Sequence, residues 1–541
     1  LGSTSKEFNN LYLGDSGKVY LGSAQEVSLY HNGSNSYVHG GSNAGLLQMK
    51  NEGGNIDLMS WYNVLIRVNA GENAIVCNLN SSVDLYYDAS TYSTPKLKTS
   101  NYGIIVDGEV AASQDYPNYQ PVLDFNFAAV KKLDPRITYS RTTYQSSGLA
   151  SYIDEYRKVV LVGDNVPRFD HDINTGECKG LLIEPGRTNK VNYSQTLATG
   201  WSANNSATRG TRVTDASFPD GSVGSQWEVV ETSSSSMHLV YQQMTGSDSP
   251  NSTVCTISAF AKPGLNRTHF VLTEGNTLSA TTIFDVANGT VTQTSGTGSP
   301  TATISGPYSG GWYRCSMTYT TASTQNYINI QFGVGNNSGS VSYAGDGSSS
   351  IAVWGVQHEV GGFATSFIPT NGAAVTRGRD DLEIDGEEFT EFYNQTEGTL
   401  MVNGYTPPIT LAVSPATKNS VSLRGASQIL HSIRYVTHAS SATARYVDAY
   451  QILANGSNVV DHGGSNGIAI EDRYYKHITT FKKDDYAYTY GGASQVWTDT
   501  SGDLPEMNRL IIGEDPTQFF LKRVVYYPKR LPNSQLTTLV S

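Results

Sequence analysis

Six tryptophans are the first side chains to consider for ligand chemistry, because an indole face stacks on the C–H face of a sugar ring. Two of them are expected to pack in a core instead. Trp354 lies in Ile351–Val356 (IAVWGV), which is apolar on both faces, and Trp312 follows Gly310 and Gly311 into a strand. Trp497 differs. It sits in 491–502, a polar hairpin-like stretch where an aromatic ring is expected to be exposed. Trp497 is therefore one candidate ligand contact, and Tyr474 and Tyr475, at the entrance to a strand, are two more.

Other chemistry finds little support in residue spacing. Asp380, Asp381, Glu383, Asp385, Glu387, Glu388 and Glu391 form an oxygen-rich run. Such a run can hold calcium, but it has no EF-hand spacing, and a solvated linker is the favoured reading. A glycosidase needs two carboxylates across a cleft, and no motif points to such a pair. G-x-S-x-G and H-E-x-x-H are both absent. Arg168 and Asp170 are expected to be a structural pair. Cys77, Cys178, Cys255 and Cys315 form no C-x-x-C pair and lack zinc spacing. Buried free thiols are expected, with a Cys255–Cys315 disulfide as the alternative. No catalytic residue, metal ligand or cofactor site is assigned.

The elements that must position these residues are strands. Charged residues make up only 16% of the chain, with 53 glycines and 34 tyrosines, a palette suited to strands and tight turns. Period-2 alternation marks strands at Lys18–Leu21, 27–30, 55–59, Val64–Val68, 83–87 and Gly103–Val106. These are too short, and their turns too polar, for one copy to bury much apolar surface. Three copies wrapped together would bury a face of each, so residues 1–112 are expected to form a trimeric shaft. Pro117, Pro121, Pro135, Pro167 and Pro185 make 113–190 a connector. Regularly spaced strands and turns over 191–378 predict a β-sandwich, and a second is expected over 379–541. That second sandwich ends in 531–539, where Pro-Asn-Ser opens a short helix. The joint near 376–381, where charge rises abruptly, is expected to be open to proteases. The fold class is all-β.

Asn165–Asp172 (NVPRFDHD) and Gly180–Asn189 (GLLIEPGRTN) resemble a connector of bacteriophage tail and capsid fibre proteins, matching at Pro167–Asp170, Thr175–Gly176, Gly180–Glu184 and Arg187–Asn189. The lead-in Leu133–Arg141 (LDPRITYSR) is also similar, whereas Thr142–Ala150 (TTYQSSGLA) departs from the family. Gly310–Ser316 (GGWYRCS) and Trp354–Asn371 (WGVQHEVGGFATSFIPTN) resemble the carbohydrate-binding-module-like jelly rolls of such fibres. Glu397–Val402 (EGTLMV), Asn508–Gly513 (NRLIIG) and Lys522–Leu536 (KRVVYYPKRLPNSQL) resemble a concanavalin or laminin-G-type sandwich.

The resemblance implies a virion fibre, located at the tail, that attaches to a host cell-surface glycan such as lipopolysaccharide or capsule. It would be a homotrimer bound to other virion tail or capsid proteins, and not an enzyme. A capsid fibre or decoration protein is one alternative, and a tailspike polysaccharide depolymerase is the other. A net charge of −12 argues against a nucleic-acid partner. No apolar run reaches the ~20 residues needed for membrane insertion. The chain begins at Leu1 without an initiator Met, so an attachment segment upstream is expected.

Overall fold

Alternation of β-branched and aromatic residues with polar ones gives many strands one apolar face, and the chain is accordingly all-β. The computed structural model describes residues 11–40, 60–68, 72–86, 94–100, 103–106, 120–144, 149–406, 418–426, 432–441, 444–454, 457–461, 468–469, 473–513 and 518–541, apart from positions 15, 22, 24, 26, 205, 276–279, 325 and 494. Contacts divide the chain into two compact units, Leu1–Ala112 and Ser113–Ser541.

The first unit contains two antiparallel meanders. One joins Lys18–Leu21, Val27–His31 and Ser36–Gly40. The other joins Val64–Val68, Glu72–Cys77, Val83–Leu85, Leu97–Ser100 and Gly103–Val106. Among its described residues Val76 alone is a buried hydrophobic, whereas Tyr12, Leu21, Val38, Trp61, Tyr62, Ile66 and Ile104 are exposed. The strand expected at 55–59 lies outside the described residues.

The second unit holds two β-sandwiches. In the first, Ser202–Ala203, Ser235–Thr245, Tyr327–Gly335, His269–Glu274, Thr281–Asp285 and Thr290–Ser295 form one sheet. Ala207–Ser217, Val223–Glu231, Ser350–Val360, Val254–Pro263, Trp312–Thr320 and Thr301–Tyr308 form the other. Val229, Ile257, Phe270, Met317, Ile330 and Phe332 pack between them. Trp312 and Trp354 are buried as expected, but against the hairpin of Ala150–Ile153 and Val159–Val162, together with Phe260 and Phe367. All four cysteines are free thiols. Cys255 pairs with Tyr319 while Cys315 pairs with Ala259 on the same two strands. Four residues of offset at ~3.3 Å each put the two sulfurs far beyond bridging distance.

In the second sandwich, Phe169–His171, Cys178–Ile183, Phe519–Tyr527, Glu397–Thr406, Arg473–Lys482, Tyr486–Tyr490 and Trp497–Asp499 lie in that order in one sheet. The facing sheet runs Thr138–Ser140, Asp381–Asp385, Arg509–Ile512, Lys418–Arg424, Ser432–Ser441, Ala444–Ala454 and Ser457–Asp461. Leu181, Ile183, Leu382, Leu400, Val402, Leu510 and Leu521 are among the residues packed between them. The C-terminal helix, Asn533–Val540, covers the outer face of the first of these sheets, burying Leu536 and Val540 against Met401, Ile478 and Val525.

The region read as a connector does contain only short elements, as its prolines require, but they are not a free tether. Leu123–Asn126, Phe169–His171 and Cys178–Ile183 complete one sheet of the second sandwich, and Thr138–Ser140 edges the other. The expectation of a protease-sensitive joint at 376–381 is corrected too. Val375–Arg377 is hydrogen-bonded between Thr143–Tyr144 and Arg187–Asn189, and Arg377 and Asp380 are fully buried. The charge that rises there is paired within the fold.

Candidate functional site

The three residues singled out from sequence do not converge. In Arg473–Lys482 successive side chains alternate, so Tyr475 points into the core, 6% exposed, and Tyr474 points outward, 50% exposed. Trp497 is half-buried, not exposed. It stands opposite Tyr488 in the neighbouring strand and stacks on Tyr490 at 5.3 Å, at the margin of the same core that takes Tyr475. Trp497 and Tyr475 are therefore packing residues, and Tyr474 alone faces outward.

Tyr474 begins a cross-strand aromatic ladder. It is opposite Tyr405, Tyr405 is opposite Phe520, and Phe520 is opposite Leu182. Ring centroids are 5.0 Å apart for Tyr474 and Tyr405, and 5.7 Å for Tyr405 and Phe520, so the rings pack as neighbours on one face. A β-bulge sets this arrangement. Asn403 pairs with Arg523 but Gly404 pairs with Leu521, which leaves Lys522 as the extra residue. The extra residue turns Leu521 into the core and Phe520 out to the ladder. Lys522 places its ammonium 4.0 Å from the centre of the Tyr474 ring.

The ladder leads into a cleft of about 190 Å³ where the three parts of the unit meet. Tyr152, Asp170, His171 and Lys179 come from the former connector. Phe260, Tyr308, Arg314 and Phe367 come from the first sandwich, and Tyr405, Gln518 and Phe520 from the second. Asp170 is the one carboxylate among the lining residues. It accepts a hydrogen bond from the Ile153 amide at 2.5 Å and lies 3.4 Å from the Lys179 ammonium. Lys179 also sits 4.5 Å above the Phe520 ring. Burial pushes the Asp170 carboxyl above its ordinary range, and Lys179 and the Ile153 amide only partly oppose this. His171 joins Nδ1 to the Ile153 carbonyl at 2.9 Å, and burial lowers the imidazole's pKa. The neutral ring donates from Nδ1, so Nε2 is an acceptor, and it has no hydrogen-bond partner.

Directly beneath the cleft lies a buried ion network. Glu184 accepts from Arg168 (2.6 Å), from Arg377, from the Ser366 hydroxyl (2.6 Å) and amide (2.8 Å), and from Gln518 (3.0 Å). Asp380 accepts from Arg168 (2.6 Å), the Glu184 amide (2.8 Å), Tyr139 (2.7 Å) and Arg141 (3.3 Å). Burial alone would raise the Glu184 carboxyl, but Arg377 and Arg168 outweigh it and hold the group at about 2. Ser366 and Gln518 belong to both network and cleft wall, so the network fixes the wall. The Arg168–Asp170 pair expected from sequence is not formed: Arg168 binds Glu184 and Asp380, and Asp170 binds Lys179.

The residues matched to the fibre connector are thus joints of the fold. Asn189 is another, donating to the Val356 and Ile368 carbonyls at 3.3 and 2.9 Å. Gly180 is a third. Its φ is +105°, and a Cβ there would stand 2.2 Å from the Leu521 carbonyl oxygen. The acidic run is divided in the same way: Asp380 is in the network, Asp381 pairs with Arg379 at 2.7 Å, and Glu387 and Glu388 lie exposed in the first turn of a short helix, Gly386–Thr390. Among the described residues no group of three or more His, Cys, Asp or Glu side chains is placed to hold a metal ion.

No family model and no curated protein matches the chain.

What the cleft can do follows from its lining. Aromatic rings supply apolar area, and a few charged and amide groups supply orientation, the usual composition of a small-molecule site. A carboxylate pair for glycoside hydrolysis would need a second carboxylate about 5–9 Å from the first. Glu184 is a buried carboxylate whose charge acts on Asp170, and it is fully buried and held ionised by two arginines. Tyr405, Phe520 and Asp170 were not singled out as ligand residues. The signal for them is spatial, because it depends on the Lys522 bulge and on the assembly of three distant segments.

Proposed function

We propose that this chain is an adhesive fibre protein of a bacteriophage particle, carried on the tail, that holds a host cell-surface glycan without cutting it. The observation that carries the reading is the Tyr474–Tyr405–Phe520 ladder running into a cleft with a single carboxylate. Such a site favours retention of a sugar over its hydrolysis. The resemblance of Asn165–Asn189 to fibre connectors supports the virion setting, and the two sandwiches are read as the jelly-roll and concanavalin-like folds of that class. Homotrimerisation through 1–112 belongs to the same proposal. That unit has one buried hydrophobic among its described residues and an array of exposed Leu, Ile, Val, Tyr and Trp side chains, which other copies of the chain would cover. Three sites per fibre would raise a weak single-site affinity through effective concentration.

The test incubates the full chain with host lipopolysaccharide or capsule and assays both retention and new reducing ends. Retention without new reducing ends supports the adhesin. New reducing ends favour the depolymerase, and neither result on any host favours a purely structural capsid or tail component.

A further inference from the structure

We infer that the cleft takes one uncharged pyranose ring, a terminal or branch sugar of the glycan, with its hydroxyls on the cleft side of the Asp170–Lys179 pair and its ring against Tyr405. The inference rests on the adhesin reading and narrows it from a glycan to a class of sugar. Size sets the first limit. About 190 Å³ lies below the ~300 Å³ at which drug-sized sites begin. One ring fits such a space, and further sugars of the polymer would lie outside it.

Hydrogen-bonding character sets the second. Lys179 and Arg314 are donors with no acceptor function, whereas the Asp170 carboxylate is an acceptor. A sugar hydroxyl donates and accepts at once, so a vicinal pair satisfies both kinds of wall. A carboxylate, phosphate or sulfate only accepts, and would set its lone pairs against those of Asp170.

Charge sets the third. Lys179, Arg314 and Lys522 are the cations of the cleft and its ladder. Asp170 pairs with Lys179, and Asp172 and Glu177 act on Tyr474 at the ladder's outer end. At the cleft surface and ladder three cations therefore meet three anions, and the chain as a whole carries −12, which gives an anionic sugar little net attraction there.

The experiment is saturation-transfer NMR on the full chain, with a panel of neutral methyl hexopyranosides and the matching hexuronic acids. Competition against retained host envelope material is measured in parallel. At least one neutral pyranoside should show transfer and compete, and the uronic acids should not. Asp170→Asn, which is isosteric, and Lys179→Met, which keeps the stem over Phe520, should each weaken that binding at least tenfold. Tyr474→Ala, at the exposed end, should weaken retention of the polymer more than binding of the monosaccharide. Envelope retention with no neutral pyranoside bound, or with uronic acids competing better, overturns the inference and leaves the adhesin standing. Absence of retention on every host overturns the adhesin, and pyranoside binding then still decides the cleft's specificity.

Discussion

Arg168 and Glu184 lie 2.6 Å apart with neither side chain exposed, and through Arg377, Ser366, Asp380 and Gln518 this pair ties both sandwiches to the 113–190 segment. Breaking a buried pair by removing one charge leaves the other uncompensated, at a cost of about 3–5 kcal/mol. Glu184→Gln should therefore lower the apparent denaturant midpoint of the 113–541 unit by a corresponding amount. An unchanged midpoint would show that the network carries no stability. The unit has two cores, so the midpoint is an operational measure and not a two-state one.

The same pair sets a pH dependence. The folded Glu184 carboxyl is held at about 2, below its ordinary 4.5. Its contribution is thus fully present above about pH 4.5 and is lost as pH falls through about 2. Thermal melts between pH 6 and pH 2 should show stability falling across that window. In Glu184→Gln this component of the fall should be missing.

Asp170 titrates with the opposite sign. Its carboxyl is raised by burial, so the folded chain binds this proton more tightly than the unfolded one, and the group's contribution declines as pH rises through that range. Asp170→Asn keeps an acceptor for the Ile153 amide, and at pH 7 it should leave stability unchanged or increase it while weakening sugar binding. A variant that lost stability and binding together would make Asp170 a structural residue.

Gly180→Ala should fold poorly. Its left-handed φ alone costs about 1–3 kcal/mol for a residue with a side chain, before the clash with the Leu521 carbonyl is counted. Wild-type yield and midpoint in this variant would refute the stated reason for glycine at that position.

Much of the fold was legible in the sequence, and the site was only partly so. Strands such as Lys18–Leu21, Val64–Val68 and Gly103–Val106 match the expected bounds, because period-2 alternation and turn residues are local signals. The C-terminal helix formed where Pro-Asn-Ser predicted it, although it begins at Asn533 with no side-chain cap. The segment from 113 to 190 was misjudged because its prolines report short elements and say nothing about what those elements pair with. Tyr474 was found and Tyr405 and Phe520 were missed for a related reason. Strict alternation back from Tyr526 and Val524 assigns Phe520 to the core, and only the bulge at Lys522 reverses that. Trp497 was overvalued because a polar flanking sequence does not reveal the tyrosines that pack against it across the sheet.

Tyr474 and Tyr475 offer a direct contrast between neighbours. Tyr475→Ala should cost about 3–5 kcal/mol, as for other large aromatic truncations in a core. Tyr474→Ala should cost only about 1 kcal/mol, from its contacts with Tyr405 and Lys522, and weaken glycan retention. Denaturation and retention assays on the two variants check this, and equal loss of stability in both would contradict the outward orientation of Tyr474.

The most direct measurement is a crystal structure of the full chain with an oligosaccharide released from host envelope. The prediction is sugar density in the cleft, one ring against Tyr405, and hydroxyls within hydrogen-bonding distance of Asp170 and Lys179. An empty cleft with sugar bound elsewhere, for example along the sheet edge at Trp497, would contradict the assignment of this site.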